Sequence, residues 1–248
     1  MLKNRVALVT GASRGIGAAT ARLLAQHGAA VAVNYHQSAA AADAVVEAIR
    51  HAGGRAAAVR ADARDPEQVQ AMVAEVERSL GPVDTLVSNA AIGFPITPFL
   101  EYRWEDFEAK LVGELKATFT CCRAVVPGMV ARRAGCIIAI SSGLSRHPGH
   151  GFVAHSTAKS GLDGFVRGLA LELGPHQIRV NVVAPGLTDT DATAHMPADL
   201  KEMAARMTPL KRNGLPEDIA GAVLMLASDH CRFVTGTYVP VSGGSLML

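Results

Sequence analysis

Several features that mark particular classes of protein are missing from this sequence of 248 residues. No run of about 18 apolar residues is present, so we expect no membrane-spanning helix. Lysine and arginine form no cluster, and the net charge of +2 gives no electrostatic reason to bind nucleic acid. The four cysteines, Cys121, Cys122, Cys136 and Cys231, lack the spacing of a metal site. We therefore expect no bound metal, and reduced thiols in a cytoplasmic protein.

The sequence also lacks any linker, repeat or low-complexity segment. Hydrophobic residues make up 49% of the chain and charged residues 19%, which is an ordinary balance for a globular protein. Because the chain enters a predicted strand within its first few residues, we expect no signal peptide. These observations predict one domain that covers residues 1–248.

Short β-branched runs alternate with alanine-rich stretches along the whole chain. The pattern predicts strands at 5–10, 30–34, 55–60, 83–88, 135–141, 177–183 and 237–241, and helices at 15–27, 39–52, 66–80, 104–132, 153–174, 191–206 and 216–228. Strand runs such as 137–140 are apolar throughout, which is typical of strands covered on both faces. The alternation predicts an α/β protein, namely a single Rossmann-type, doubly wound domain with a seven-stranded parallel sheet.

A glycine-rich loop follows the first predicted strand and opens the first predicted helix. Gly11 allows a tight turn, Gly15 lets the backbone approach a pyrophosphate, and Gly17 lets the helix pack close to the sheet. The free N–H groups at the start of that helix favour phosphate groups. The loop, together with its Ser13 and Ile16, is therefore predicted to bind a dinucleotide.

An ordered set of motifs extends from this loop to the end of the chain. The loop at 10–17 has the pattern T-G-x-x-x-G-x-G, and it is followed by Asp62, Ser88-Asn89-Ala90-Ala91, Ser142, Lys159, Asn181, Pro185-Gly186 and Ser242-Gly243-Gly244. In type and order these motifs resemble the short-chain dehydrogenase/reductase family, and most of all its 3-oxoacyl-(acyl-carrier-protein) reductase-like branch. The resemblance implies a nicotinamide cofactor, a small-molecule substrate and a homo-oligomer, either a tetramer or a dimer.

The resemblance also implies roles for residues along the cofactor. Asp62 would contact the adenine and Asn89 the adenosine ribose region. The segment that contains Pro185, Gly186 and Thr188 would line the nicotinamide.

The end of the second predicted strand favours NADP(H) over NAD(H). An NAD site usually has an acidic residue there, which binds the ribose 2′-hydroxyl. This strand instead carries Asn34, which does not repel a 2′-phosphate. Arg14, in the glycine loop, is a basic side chain that can pair with that phosphate.

Two of the four catalytic positions depart from the family pattern. The family reduces a carbonyl with a serine, a tyrosine and a lysine, supported by an asparagine. The flanking residues map the serine onto Ser142 and the lysine onto Lys159, whereas the tyrosine position is occupied by His155 and the asparagine position by Glu114. By resemblance, Ser142 orients the carbonyl and Lys159 holds the nicotinamide ribose. His155 is then an altered proton donor, because imidazole is a competent acid near neutral pH.

Three functions are compatible with this altered site. The first is an NADPH-dependent reductase of a C=O or C=N bond, in which Glu114 stabilises a cationic iminium if the substrate is a cyclic imine. The second is a non-redox cyclase, dehydratase or isomerase that uses Glu114 and His155 as acid and base. The third is an NADP-binding protein without catalytic activity. The intact cofactor motifs favour the reductase.

Overall fold

A computed structural model describes residues 1–247 as alternating strands and helices. In chain order the elements are β1 Val6–Val9, α1 Gly15–Gln26, β2 Ala30–Tyr35, α2 Ala39–His51, β3 Arg55–Arg60, α3 Pro66–Ser79, β4 Thr85–Ser88, α4 Trp104–Arg132, β5 Gly135–Ile140, α5 Val153–Leu173, β6 Ile178–Pro185, α6 Ala198–Met207, α7 Pro216–Ala227 and β7 Tyr238–Val241. Short 3-10 helices lie in several of the connecting loops.

Within residues 1–247 the strands form one seven-stranded sheet in the order β3-β2-β1-β4-β5-β6-β7, and all neighbouring pairs are parallel. The predicted doubly wound parallel sheet is therefore confirmed. From β1 the strands are added in one direction up to β3 and then in the opposite direction from β4 onward, so the strand order reverses between the hydrogen-bonded neighbours β1 and β4. Ligands of open α/β sheets bind at the carboxyl ends of the strands at such a reversal.

Each face of the sheet is covered by its own helical layer. Successive strand residues point to opposite faces, so Ile137 and Ile138 of β5 are both fully buried but belong to two separate clusters. Ile138 packs in the layer that contains α1, α2 and α7, and Ile137 in the layer of α3, α4 and α5. Because the strands are covered on both sides, their sequences are apolar rather than alternating.

The predicted boundaries differ from the structure most at α6. The sequence pattern predicts a helix at 191–206, but α6 begins only at Ala198, and a separate 3-10 helix covers Asp191–Thr193. The side chain of Thr193 donates to the Thr188 carbonyl at 2.8 Å and so closes the first turn on itself. Pro197 then disfavours the helical conformation at the residue before it, which separates the two pieces.

The four cysteines are free and buried. Burial raises the pKa of Cys121 to about 12 and that of Cys136 to about 11, so both remain protonated thiols at neutral pH. Within residues 1–247 no three histidine, cysteine or acidic side chains are grouped so that they could hold a metal ion. In the same range no helix is both long and apolar enough to pass through a bilayer.

Candidate active site

A cleft of about 600 Å³ opens at the carboxyl ends of β1 and β4, where the strand order reverses. Its walls come from the glycine loop, the end of β2, the segments that follow β3 and β4, and residues 190–192 at the start of the 3-10 helix. The lining residues include Gly11, Ser13, Arg14, Gly15, Ile16, Gly17, Asn34, Asp62, Asn89, Ile92 and Thr190. The structure thus brings together on one cleft most of the residues predicted to bind the cofactor.

The glycine loop has a shape that only glycine allows at two of its positions. Gly11 and Gly15 have φ of +60° and +53°, which place them in the left-handed region. Gly17 has an ordinary φ, but a Cβ there would lie 2.5 Å from the Gly11 carbonyl oxygen and 2.6 Å from the Asn89 amide nitrogen. The backbone at the start of α1 therefore stays open to the cleft, which fits a pyrophosphate.

Two asparagines hold this loop from opposite sides. The Asn89 amide donates to the carbonyls of Thr10, at 2.8 Å, and Gly11, at 3.1 Å. The Asn34 side chain accepts from the Gly11 N–H at 3.2 Å and donates to the Ala61 carbonyl at 3.1 Å. Both side chains lie on the cleft, and their hydrogen bonds within the protein fix the loop before any ligand arrives.

Replacing Gly17 by alanine is expected to abolish dinucleotide binding and to lower the melting temperature by several degrees, because the added methyl group displaces the Gly11 carbonyl or the Asn89 amide. The matched control is Gly221→Ala, an exposed helical position where a Cβ meets nothing within 4 Å. Fluorescence titration with NADPH and thermal denaturation measure the two effects. Normal binding by the Gly17 variant would contradict the assignment of this loop.

The outer part of the cleft is rich in basic and polar groups. Arg14 donates to the Ser38 hydroxyl at 2.5 Å, so the two side chains meet across the space between the glycine loop and the end of β2. His36 and Arg64 also line this part of the cleft. A phosphate group bound here would meet cationic and hydroxyl donors.

Asp62, predicted to contact an adenine, is paired within the protein. Arg64 binds its carboxylate at 2.7 Å, and this hydrogen bond lowers the pKa of Asp62 to about 2. The Asp62 N–H also donates to the Gln68 side chain at 3.0 Å, which joins the residue to the start of α3. Arg64 was not among the residues predicted from the sequence.

The segment predicted to line a nicotinamide follows β6. Pro185 ends that strand, and the Gly186 N–H donates to the Val241 carbonyl at 3.0 Å. The buried Thr188 hydroxyl donates to the Gly186 carbonyl at 3.1 Å, so this turn is fixed internally. The cleft wall itself is formed by the next residues, at 190–192.

A buried ionic cluster lies directly behind the cleft. Glu114 of α4 is 2% exposed, and its two carboxylate oxygens accept from different lysines, Lys110 at 2.6 Å and Lys159 of α5 at 2.5 Å. Lys110 also donates to the Ile92 carbonyl at 2.8 Å, and Lys159 to the Ile140 carbonyl at 2.7 Å. We call Lys110, Glu114 and Lys159 the buried cluster. Because Ile92 lines the cleft and contacts the buried cluster, the two are continuous.

Glu114 is ionised despite its burial. Burial alone would raise the pKa of this carboxyl, but the ammonium groups of Lys159 and Lys110 outweigh it and hold the pKa at about 2. Burial has the opposite consequence for Lys110, whose pKa is lowered. Lys110 was not among the predicted site residues. The available signal was its position four residues before Glu114, since such residues are neighbours on one helix face.

His155 lies one helical turn before Lys159 on α5 and is neutral. Its ring stacks on Phe94, with the ring centres 4.6 Å apart, and the buried Nδ1 atom finds no hydrogen-bond partner anywhere in residues 1–247. Burial, followed by the charges of Lys159 and Lys110, lowers the pKa of His155 to about 3. The Lys110 ammonium lies over the Phe94 ring, 4.9 Å from the ring centre.

Ser142 follows the carboxyl end of β5, two residues after the Ile140 carbonyl that holds Lys159. Its hydroxyl oxygen accepts from the Leu144 N–H at 3.2 Å, and its carbonyl accepts from the Tyr238 hydroxyl at 3.1 Å. Among residues 1–247 the Ser142 hydroxyl donates no hydrogen bond, so its proton is free for a ligand.

Comparisons with known proteins agree with this arrangement. Residues 11–245 match the family model described as Enoyl-(Acyl carrier protein) reductase. The 3-oxoacyl-(acyl-carrier-protein) reductase of Staphylococcus epidermidis is 39% identical over 246 residues, 98% of this chain and 100% of that protein. The enzyme of the same name from Synechocystis sp. is 41% identical over 249 residues, 99% of this chain and 98% of that protein.

A solved structure gives the same result for the fold. The crystal structure of a dehydrogenase/reductase from Sinorhizobium meliloti 1021 is similar to this chain with a TM-score of 0.91 and 40% sequence identity. The similarity covers 99% of this chain and 96% of that one. The chain therefore belongs to the short-chain dehydrogenase/reductase family of oxidoreductases, in its 3-oxoacyl-(acyl-carrier-protein) reductase-like branch.

Proposed function

We propose that the protein is an NADPH-dependent reductase of a small-molecule ketone, and that His155 takes the place of the family's usual tyrosine. The observation that carries this proposal is the continuity between the cleft and the buried cluster through Ile92. A dinucleotide held by the glycine loop would extend along the cleft toward Ser142, His155 and Lys159.

The cysteine thiols of the protein are free and buried, which supports the cytoplasm as its compartment.

The cleft suits NADPH better than NADH. The residues that line it at the end of β2 and just beyond, at 34–38, include no carboxylate that would bind a ribose 2′-hydroxyl or repel a 2′-phosphate. Arg14 and Ser38 already meet at this point, and their guanidinium and hydroxyl groups can bind a phosphate together.

We expect Arg14→Ala to weaken NADPH binding about tenfold to a hundredfold and to leave NADH binding nearly unchanged, because only NADPH carries the 2′-phosphate. Arg22→Ala is the matched control, since Arg22 is exposed on α1, the helix that Arg14 immediately precedes, and does not line the cleft. Fluorescence titration of both cofactors with each variant gives the answer. An equal loss for NADPH and NADH would remove the phosphate assignment.

The protein's own groups can stabilise and protonate a substrate oxygen. The chemistry that NADPH would supply when bound is a hydride for the carbonyl carbon, and the electron pair of the C=O π bond would then remain on oxygen. The free proton of the Ser142 hydroxyl can point at that oxygen, and the buried cluster contributes a positive field. The oxygen must then receive one proton.

A neutral His155 can pass this proton without ever becoming charged. Neutral imidazole has one N–H donor and one nitrogen acceptor. The ring gives its N–H proton to the substrate oxygen and takes a proton at its other nitrogen, so it only changes tautomer. That second proton comes from solvent, because no hydrogen bond joins the His155 ring to Lys159 within residues 1–247. The balance is one new C–H bond, one new O–H bond and one proton taken from water.

The structure supports a ketone substrate over an iminium. The iminium hypothesis depends on a Glu114 carboxylate that is free to face a cation. Both oxygens of Glu114 are instead occupied by Lys110 and Lys159, and the carboxylate is fully buried. A cationic substrate would meet ammonium groups before it met the carboxylate.

The test is NADPH oxidation against a panel of ketones and cyclic imines. The panel begins with a 3-oxoacyl thioester, because the relatives are named 3-oxoacyl-(acyl-carrier-protein) reductases. Turnover of any ketone supports the proposal. NADPH binding without oxidation by any substrate from pH 5 to 9 would favour the non-redox or inactive alternatives instead.

We also propose that the protein is a homo-oligomer that associates through α4 and α5. These helices expose Val112, Phe119 and Leu171, at 51%, 53% and 81%. Apolar groups repeated along two adjacent helices are typical of a surface covered by another subunit. Light scattering at micromolar concentration is expected to give a dimer or tetramer mass, and a mass near 25.8 kDa would contradict it.

A further inference from the structure

Lys110 is a buried cation that lies outside the family motifs described above. It is 1% exposed, and its ammonium is bound by the Ile92 carbonyl and Glu114, with the Phe94 ring on another side. A lysine is almost never fully buried unless its charge is paired. The pairing here is incomplete, because Glu114 is shared with Lys159.

The charge of the buried cluster follows from this sharing. Two ammonium groups and one carboxylate leave one net positive charge, and the neutral His155 adds nothing to it. The buried carboxylate of Asp163 belongs to a separate group, since it accepts from Ser145 at 2.7 Å. Lys159 and Glu114 alone would be neutral, so the excess charge comes from Lys110.

We propose that Lys110 is a specificity-determining residue that keeps the active site positive and so selects neutral carbonyl substrates over cationic iminium ions. This inference rests on the proposed reductase function and adds the residue that sets its substrate class. Lys110 acts through charge and through its hold on Glu114. It needs no contact with the substrate.

The two substrate classes respond to a positive site in opposite ways. A ketone is neutral when it binds and gains negative charge on oxygen during hydride transfer, so a positive field stabilises the transition state. An iminium ion is already positive, so the same field opposes its binding. Lys110 also occupies one oxygen of Glu114, which would otherwise be available to attract a cation.

The experiment compares kcat/KM for a 3-oxoacyl thioester and for a cyclic iminium ion in the wild type and in three variants. Lys110→Met removes the charge and makes the buried cluster neutral. Lys110→Gln also removes the charge but keeps an N–H donor for Glu114 and the Ile92 carbonyl. The double variant Lys110→Met with Glu114→Met removes one charge of each sign, so Lys159 still provides one net positive charge.

We expect both single variants to shift the ketone-to-iminium ratio of kcat/KM toward the iminium by on the order of tenfold or more, as removal of one unit charge from a water-poor site predicts. The double variant should keep the wild-type preference, because its net charge is unchanged. A purely structural role for Lys110 predicts instead that all three variants lose both activities in proportion.

Each outcome decides a separate question. If the wild type fails to oxidise NADPH with any of the substrates, the proposed function is overturned. A wild type that prefers the iminium, or active variants with an unshifted ratio, overturns the role of Lys110 while the reductase function stands. If Lys110→Met fails to fold, Lys110→Gln still tests the inference, because it removes the charge while it keeps an N–H donor for Glu114 and the Ile92 carbonyl.

Discussion

Replacing Glu114 by glutamine is expected to lower the free energy of unfolding by about 3 to 5 kcal/mol, the usual cost of removing one partner from a buried ion pair. Glutamine is nearly isosteric, so the effect comes from charge rather than volume. The change leaves the ammonium groups of Lys110 and Lys159 buried, close to each other and without a carboxylate. The loss is measured by urea denaturation at pH 7.

An exposed pair of the same spacing is the matched control. Glu202 and Arg206 on α6 are also four residues apart and lie within 2.6 Å, but their side chains are 63% and 76% exposed. We expect Glu202→Gln to change the stability by less than about 1 kcal/mol. Equal effects of the two substitutions would mean that the buried cluster is hydrated in solution.

The α/β fold could be predicted because its signal is local. A buried parallel strand is a short apolar run, and the glycine loop marks where the first strand passes into the first helix. Most boundaries accordingly agree within one or two residues. The predicted start of α6 was wrong. The side-chain hydrogen bonds of Thr193 close a separate turn and Pro197 interrupts the helix, and the hydrophobic pattern of the sequence reports neither effect.

The candidate site was only partly predictable, because its charge state depends on contacts between distant segments. The sequence placed Ser142, Lys159 and Glu114 by their order along the chain. It could not show that Lys110 shares Glu114 with Lys159, since α4 and α5 approach each other only in the folded protein. A free imidazole titrates near 6.5, and only the packing against Phe94 and the nearby ammonium groups makes His155 neutral.

His155→Phe is expected to make the protein more resistant to acid. The pKa of His155 is about 3 in the folded protein and about 6.5 in an unfolded chain. Because the folded pKa is the lower one, the unfolded chain binds the extra proton first as the pH falls. The stability that His155 contributes is therefore complete above pH 6.5 and is lost progressively as the pH falls toward 3.

The size of this loss is about 5 kcal/mol over the whole shift, at about 1.4 kcal/mol for each pH unit, and roughly two thirds of it appears above pH 4. Phenylalanine cannot titrate and can still stack on Phe94, so the variant should lack this part of the acid sensitivity. Glu114 and Asp62 also titrate at low pH, but they contribute equally to both proteins and cancel in the difference. The measurement is the difference in unfolding free energy between variant and wild type from pH 7 to 4.

The same substitution tests the proposed proton path. We expect His155→Phe to reduce ketone turnover by about a hundredfold or more while NADPH still binds, because the substrate oxygen loses its proton donor. The wild-type rate should show no decline near pH 6.5, since a ring that stays neutral from pH 5 to 8 has no imidazolium to lose. A decline centred there, together with equal acid stability of variant and wild type, would mean that His155 is solvated and acts as a charged acid.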